Sequence, residues 1–263
     1  TFPTENDVEM SILSSVGSIQ RDKESLVEYE EISSTFNNFK SLRFKGATPP
    51  KTINPAQYRK LDNFSKLVSV VTAQALEDSG LNIKKLDTSK VGILFTTPSG
   101  PVEVVEGIEK QITTDGYAYV SASRFPFTVM NAAAGMLSIM FKIKGPLSVI
   151  STNNGAIDGI QYAKEMMRNN QLEYVLLVSA NQWIDMGFMC LEQFGYDSTE
   201  YIGADYCSVQ VLSCKPTENH PIILGSKQLK YKDKNLAEIS SIFNQSFQQL
   251  LSELKLTPEE IKG

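Results

Sequence analysis

Two uninterrupted apolar runs stand out in the pattern of hydrophobic and polar positions along the chain. Residues 91–95 read Val-Gly-Ile-Leu-Phe, and residues 173–179 read Glu-Tyr-Val-Leu-Leu-Val-Ser. A strand that is apolar at nearly every position has both faces covered, so these runs predict strands of a sheet with helices on its two sides. A shorter, β-branched run at 147–151 predicts a further strand.

Helical spacing of apolar residues separates these strands. It predicts a helix over 64–76 that ends before Gly80. A second helix is predicted after residue 155, with Ile157, Ile160 and Ala163 on one face. The alternation of strand and helix predicts an α/β fold, with residues 1–263 as one domain. The remaining predictions are helices at 102–115 and 235–254, a helix opening at 132–135, and strands at 8–17, 205–213 and 222–231. The polar stretch 20–60, with its prolines, predicts a long surface loop.

Composition and charge narrow the classes of function. The net charge of −5 and the pI near 5.1 argue against nucleic acid or an anionic membrane as the main partner. Three cysteines, Cys190, Cys207 and Cys214, show no Cys-x-x-Cys spacing, and there is one histidine, so neither a disulfide framework nor a metal site is predicted. No apolar run reaches the roughly 18 residues of a membrane span, and the first residues do not resemble a signal peptide. We therefore expect a cytoplasmic protein.

The turn between the strand at 147–151 and the next helix is the place where chemistry is expected. A side chain there meets unpaired backbone N–H groups and the positive end of the helix dipole. A cysteine at such a turn would have a lowered pKa and an anion-stabilising site beside it, which suits acyl transfer. This chain has Asn153 and Asn154 instead. A carboxamide is not a nucleophile and asparagine is a favoured helix cap, so a capped helix alone explains the local sequence.

Four motifs in their order along the chain carry a resemblance to the β-ketoacyl synthase family. They are Arg-Lys-Leu-Asp-Asn-Phe-Ser at 59–65, Ala-Leu-Glu-Asp-Ser-Gly-Leu at 75–81, Lys-Gly-Pro at 144–146 and Val-Ile-Ser-Thr at 149–152. The last two resemble the family's Lys-Gly-Pro lead into Ser-Thr-Ala-Cys, which places the family's cysteine at Asn153, or at Asn154 if the register slides by one. The resemblance runs from about residue 8 to 261 with gaps.

The resemblance implies a thiolase-like, layered α-β-α-β-α fold. Residues 1–215 correspond to the family's N-terminal half and residues 216–263 to the start of a shortened or incomplete C-terminal half. The family's two catalytic histidines have no counterpart in these 263 residues, and the single histidine, His220, is interpreted as a loop residue. Members of the family are normally intimate dimers across the strand that precedes the cysteine turn.

Relatives without the cysteine are known as chain-length factors of type II polyketide synthases. The resemblance therefore implies a catalytically inactive subunit that pairs with an active β-ketoacyl synthase in a heterodimer and shapes its acyl tunnel. Such a pair would act in type II polyketide, aryl-polyene or fatty-acid-like biosynthesis. It implies no cofactor and no metal for this chain, because the acyl group arrives on the phosphopantetheine arm of an acyl carrier protein. The residues expected to line the tunnel or the dimer interface are Phe127, Met130, Asn131, Met136, Phe141, Ser151, Thr152, Asn153 and Asn154.

Two other functions remain open from the sequence. The first is decarboxylation of malonyl groups on a carrier protein, which needs an anion-stabilising donor but no nucleophile, and Asn153 or Asn154 would supply that donor. The second is a purely structural homodimer or a docking module for a carrier protein.

Overall fold

A computed structural model describes residues 10–18, 27–33, 39–152, 154–184, 187, 193–195, 202–215, 220–223 and 236–258. Within them two sheets form, of six and three strands. The strands are β1 Met10–Gly17, β2 Val27–Ser33, β3 Lys40–Ala47, β4 Val91–Thr97, β5 Leu147–Ser151, β6 Tyr174–Asn181, β7 Ile202–Ala204, β8 Tyr206–Ser213 and β9 Ile222–Ile223.

The larger sheet has the strand order β5-β4-β6-β8-β1-β9. Its β5, β4 and β6 are parallel to one another, whereas β8 runs antiparallel to both β6 and β1, and β9 runs antiparallel to β1. The smaller sheet has the order β2-β3-β7, with β2 and β3 antiparallel and β7 parallel to β3. The strand that leads into the candidate turn, β5, is therefore an edge strand of the larger sheet.

The helices cover both faces of the larger sheet. Residues 176 and 178 of β6 pack into a core with α2 and α4, while residues 175 and 177 pack on the opposite face with α5. Alternate residues of a strand point to opposite faces, so a strand that is apolar at each position is buried on both. The helices are α1 Pro55–Tyr58, α2 Asn63–Asp78, α3 Val102–Asp115, α4 Ala132–Phe141, α5 Ala156–Asn170 and α6 Leu236–Leu254.

The central helix α2 is buried on almost every side. Its Leu67, Val68, Val70 and Val71 are fully inaccessible to solvent. Asp62 begins the helix, because its carboxylate accepts hydrogen bonds from the backbone N–H groups of Phe64 and Ser65. This helix carries the motif at 75–81, and its first turn contributes to the candidate site.

The predicted α/β class is confirmed, and so are the strands at 91–95, 147–151, 173–179 and 205–213 and the helices at 64–76, 102–115 and 235–254. The prediction of a long loop over 20–60 is wrong, because this stretch contains β2, β3 and α1. In the predicted strand at 222–231, β9 covers Ile222–Ile223, and residues 224–230 lie outside the described part. None of the described helices is long and apolar enough to cross a membrane.

Candidate functional site

The turn after β5 is held by a small hydrogen-bonded cluster around Asp158. The Thr152 hydroxyl donates to the Asp158 carboxylate, and the Asn154 amide Nδ2 donates to the same carboxylate at 3.1 Å. The backbone N–H of Asn154 donates to Thr152 Oγ1 at 3.1 Å. Asn153 lies outside the described residues. The cluster therefore engages the side chains of Thr152 and Asn154 in holding the turn against the first turn of α5.

The helix cap differs from the one that the sequence favours. The N-cap residue of α5 is Gly155, and no side chain of the described residues caps the helix. Gly155 has φ +57°, and a Cβ built there would lie 2.8 Å from Ser179 Oγ. The turn requires glycine because any other residue would be strained in this conformation and would clash with β6. Asn154 does not cap the helix, since its side-chain amide bonds Asp158 instead, and the expected cap Asn153 lies outside the described residues.

The free edge of β5 is the second feature of the site. The Thr152 N–H donates to the Thr97 carbonyl at 3.2 Å, and the Ile93 N–H donates to the Pro146 carbonyl at 3.0 Å. The bonded backbone groups of residues 146 and 152 therefore both face β4. In a parallel pair alternate residues bond the same neighbour, so the N–H groups of 148 and 150 face β4. The N–H of Val149 faces away from β4. Among the described residues no strand covers this edge.

Apolar side chains are exposed on helix α4, which packs against β5, and on the segment that directly precedes this helix. Val129 is 49% exposed, Met130 36% and Ile139 59%. Helix α4, which carries Ile139, packs against β5 and β4. Of the expected interface residues, Met130, Asn131, Ser151 and Asn154 are exposed, and Thr152 is half-buried. An uncharged strand edge flanked by exposed apolar side chains has the character of an interaction surface.

A pocket of about 710 Å³ lies between the first turn of α2 and helices α3 and α4, and is called the larger pocket below. Two of the expected tunnel residues, Phe127 and Met136, line it. The other lining residues are apolar Leu61, Val104, Ile139 and Met140, and polar Gln57, Lys60, Asp62, Asn63, Glu103, Ser123 and Arg124. Its wall is thus mixed, with an apolar side mainly from α4 and polar side chains from residues 57–63, from α3 and from residues 123–124.

Four ionisable side chains line the larger pocket, and two of them, Asp62 and Arg124, have contacts that bear on its chemistry. The Asp62 Oδ1 atom is buried and has no hydrogen-bond partner among the described residues, and burial raises the pKa of the Asp62 carboxyl. Arg124 lies across α3, since a Cβ built at Gly107 would be 2.6 Å from Arg124 Nη2. The pocket can therefore hold an apolar chain while offering polar groups at one side.

A second pocket of about 460 Å³, called the smaller pocket below, lies at the other end of α2. Phe141, an expected tunnel residue that is 7% exposed, lines this pocket rather than the larger one. The other lining residues are Thr52, Ala73, Leu76, Glu77, Gly80, Leu81, Asn82, Ile83, Lys84, Met140 and Lys142.

A buried carboxylate, which sequence reasoning did not single out, joins the two sheets. Asp205 is 1% exposed and accepts hydrogen bonds from Arg43 Nε at 3.2 Å, Phe44 N at 2.9 Å and Trp183 N at 2.8 Å. Its three donors belong to β3 and to the residues after β6. Arg43 also approaches Glu103 at 4.0 Å, which links this cluster to the rim of the larger pocket.

Among the described residues, neither the two cysteines nor the histidine supplies a nucleophile at the turn. Burial raises the pKa of the Cys207 thiol far above its usual range, which makes it unreactive. Cys214 is half-buried, and Cys190 lies outside the described residues. His220 is half-buried at a bend before β9. The described part of the chain contains no group of three or more residues suited to hold a metal ion.

A family model described as "Beta-ketoacyl synthase, N-terminal domain" matches residues 14–204. A 3-oxoacyl-[acyl-carrier-protein] synthase 2 of Vibrio harveyi is 32% identical over 156 residues, which is 57% of this chain and 35% of that protein. The chain spans about a third of the length of the curated relatives it matches.

Solved structures resemble the chain in fold. One is a ketosynthase in complex with its chain length factor from Xenorhabdus doucetiae, with a TM-score of 0.53 and 15% identity over 78% of this chain and 79% of that one. Another is a type II polyketide synthase acyl carrier protein in complex with its ketosynthase bound to the hexaketide. Its TM-score is 0.61, with 20% identity over 78% of this chain and 62% of that one.

Proposed function

The chain belongs to the β-ketoacyl synthase family, and from that premise we propose that it is a non-condensing subunit that pairs with an active β-ketoacyl synthase. Its role is to complete the dimer and to shape the space that receives the growing acyl chain. The observation that carries the proposal is the uncovered edge of β5 directly before a turn that has no cysteine.

The chemistry of the turn supports a subunit without condensing activity. Acyl transfer in this family needs a thiolate at the turn, and the sequence has Asn153 and Asn154 there. The Thr152 hydroxyl donates to Asp158 and serves the turn, and the neighbouring Ser151 hydroxyl donates to the Pro98 carbonyl. The Asn154 amide is committed to the same carboxylate, which also argues against its use as a donor for malonyl decarboxylation.

The edge of β5 supports pairing with a second subunit. Its five residues, Leu-Ser-Val-Ile-Ser, include neither a charge nor a proline, the usual means by which a solvent-facing edge avoids addition of another strand. The exposed side chains of Val129, Met130 and Ile139 add apolar area beside it. We infer a continuous sheet across the two subunits, with the active synthase as the partner. The similar structure of a ketosynthase with its chain length factor supports that choice of partner.

The larger pocket is the proposed site for the acyl chain. Its volume of about 710 Å³ lies within the range of small-molecule sites, and Phe127, Met136 and Met140 give it a flexible apolar wall. We propose that the acyl group reaches it on the phosphopantetheine arm of an acyl carrier protein, so that this chain needs no cofactor of its own. Lys60 and Arg124 at this pocket are cations that an acidic carrier protein would meet.

Replacing Met136 with tryptophan tests this assignment of the pocket. The larger side chain fills part of the larger pocket from α4, so the paired enzymes are expected to release shorter acyl products than the pair with the wild-type chain. Ile32→Trp is the control, because Ile32 is exposed in β2 and lies outside both the pocket lining and the proposed interface. Mass spectrometry of carrier-bound products measures the chain lengths. An unchanged length distribution with Met136→Trp would show that this pocket does not receive the chain.

A further inference from the structure

The larger and smaller pockets meet at one side chain. Among the described residues, Met140 alone lines both of them. Its neighbours in α4 divide between the two, with Met136 and Ile139 in the larger pocket and Phe141 in the smaller. Met140 therefore lies where the two cavities approach each other.

The two pockets together follow α2 over much of its length. The larger pocket touches Asn63 at the start of the helix, and the smaller touches Ala73 and Leu76 near its end. Ten residues of α-helix correspond to about 15 Å at 1.5 Å per residue. An extended chain that entered at the first turn of α2 would thus have a second cavity ahead of it beyond Met140.

Met140 has the properties of a movable wall. It is half-buried, and methionine has three rotatable side-chain bonds with no branch, so it changes conformation at low cost. The next residue, Phe141, is buried in the core and fixed by it. A shift of the Met140 side chain would open the wall without moving the helix that carries it.

We propose that Met140 is a gate between two segments of one acyl channel, and that the methyl end of a long chain passes it into the smaller pocket. This inference rests on the proposed function of the larger pocket. Ala73, Leu76, Leu81 and Ile83 line the smaller pocket and suit a hydrocarbon terminus, which asks for no hydrogen-bond partner. The smaller pocket then sets the upper limit of chain length, and the larger pocket alone accommodates short chains.

The test uses straight-chain acyl thioesters of N-acetylcysteamine, from hexanoyl to hexadecanoyl, titrated calorimetrically into the complex of this chain with its synthase. The nucleophilic cysteine of the synthase is replaced by alanine, so that the thioesters bind without acyl transfer. Leu81→Trp fills the smaller pocket and is expected to leave short-chain affinity unchanged. It should weaken binding of the long chains about tenfold for every two methylene groups excluded. Lys85→Trp is the matched control, because Lys85 is exposed in the same short turn and does not line the pocket.

Met140→Ala supplies a second, independent measurement. Removal of the gate is expected to raise the affinity for long chains relative to that for short chains, which lose the contact with the Met140 side chain in the larger pocket. Long-chain affinity unchanged in both Leu81→Trp and Met140→Ala would overturn the gate. Met136→Trp separates this failure from a failure of the proposed function. If Met136→Trp weakens the binding of chains of every length, the larger pocket is the acyl site whether or not Met140 is a gate. If Met136→Trp leaves binding of every length unchanged, the pocket assignment itself is wrong.

Discussion

Replacing Val149 with proline is expected to abolish complex formation with the active synthase. The N–H of Val149 faces away from β4, so its loss removes a donor from the free edge and spares the β4–β5 hydrogen bonds. The proline ring also blocks close approach of another strand at the centre of β5. We expect no complex on size-exclusion chromatography at concentrations where the wild-type chain pairs stoichiometrically.

Ile222→Pro is the matched control for that variant. Ile222 lies in β9, at the opposite edge of the same sheet, and faces Ser11 of β1 in the antiparallel register. The Ile12 N–H donates to the Pro221 carbonyl, so the pair of Ile12 and Pro221 is hydrogen-bonded. Hydrogen-bonded and non-hydrogen-bonded pairs alternate along an antiparallel ladder. The next pair, Ser11 and Ile222, is therefore not hydrogen-bonded, and the N–H of Ile222 also points outward. This control is expected to keep the complex. Circular dichroism confirms that both variants are folded, and a folded Val149→Pro chain that still pairs would exclude β5 as the interface.

Replacing Asp205 with asparagine is expected to lower the free energy of unfolding by about 3–5 kcal/mol, the usual effect of removing one partner of a buried ion pair. Three donors converge on this carboxylate, from Arg43, Phe44 and Trp183. An asparagine offers one acceptor oxygen and places an amide N–H₂ group against one of these donors. Urea unfolding measures the change, with the slope of the transition expected to stay the same.

An exposed carboxylate in the same small sheet provides the comparison for Asp205. Glu31 pairs with Lys40 at 2.8 Å, and both side chains are more than half exposed. Solvent screens such a pair, so Glu31→Gln is expected to leave the unfolding midpoint at the wild-type value. Equal midpoints for Asp205→Asn and Glu31→Gln would contradict the view that Asp205 ties the two sheets together.

The parts of the fold that could be predicted are those in which the local pattern of apolar residues reflects their burial. Strands β4 and β6 are apolar at consecutive positions because both faces are covered, so their pattern is unmistakable. The β2–β3 hairpin was missed for the opposite reason. Most of β2 is exposed and carries three glutamates, so its sequence resembles a polar loop, and pairing with β3 rather than apolar content makes it a strand.

The candidate site also has features that could be predicted from the sequence and features that could not. The turn after β5 was located because its motif is local, but Gly155 as cap and Asp158 as the partner of Thr152 depend on where α5 meets the sheet. In α4 the sequence identified Met136 but not Ile139 and Met140, although a spacing of three and four residues places all three on one helix face. Asp205 gave no local signal, since its donors lie more than 20 residues away in sequence.

The central claim is that this chain completes a synthase without carrying the acyl group. The most direct test is to co-express it with a cysteine-bearing β-ketoacyl synthase of the same organism, purify the complex, load it with acyl carrier protein bearing an acyl group, and measure intact masses. We predict a one-to-one complex under native conditions and, after denaturation, an acyl adduct on the synthase and none on this chain. A chain that stays apart from the synthase, or that acquires the acyl group itself, would contradict the account.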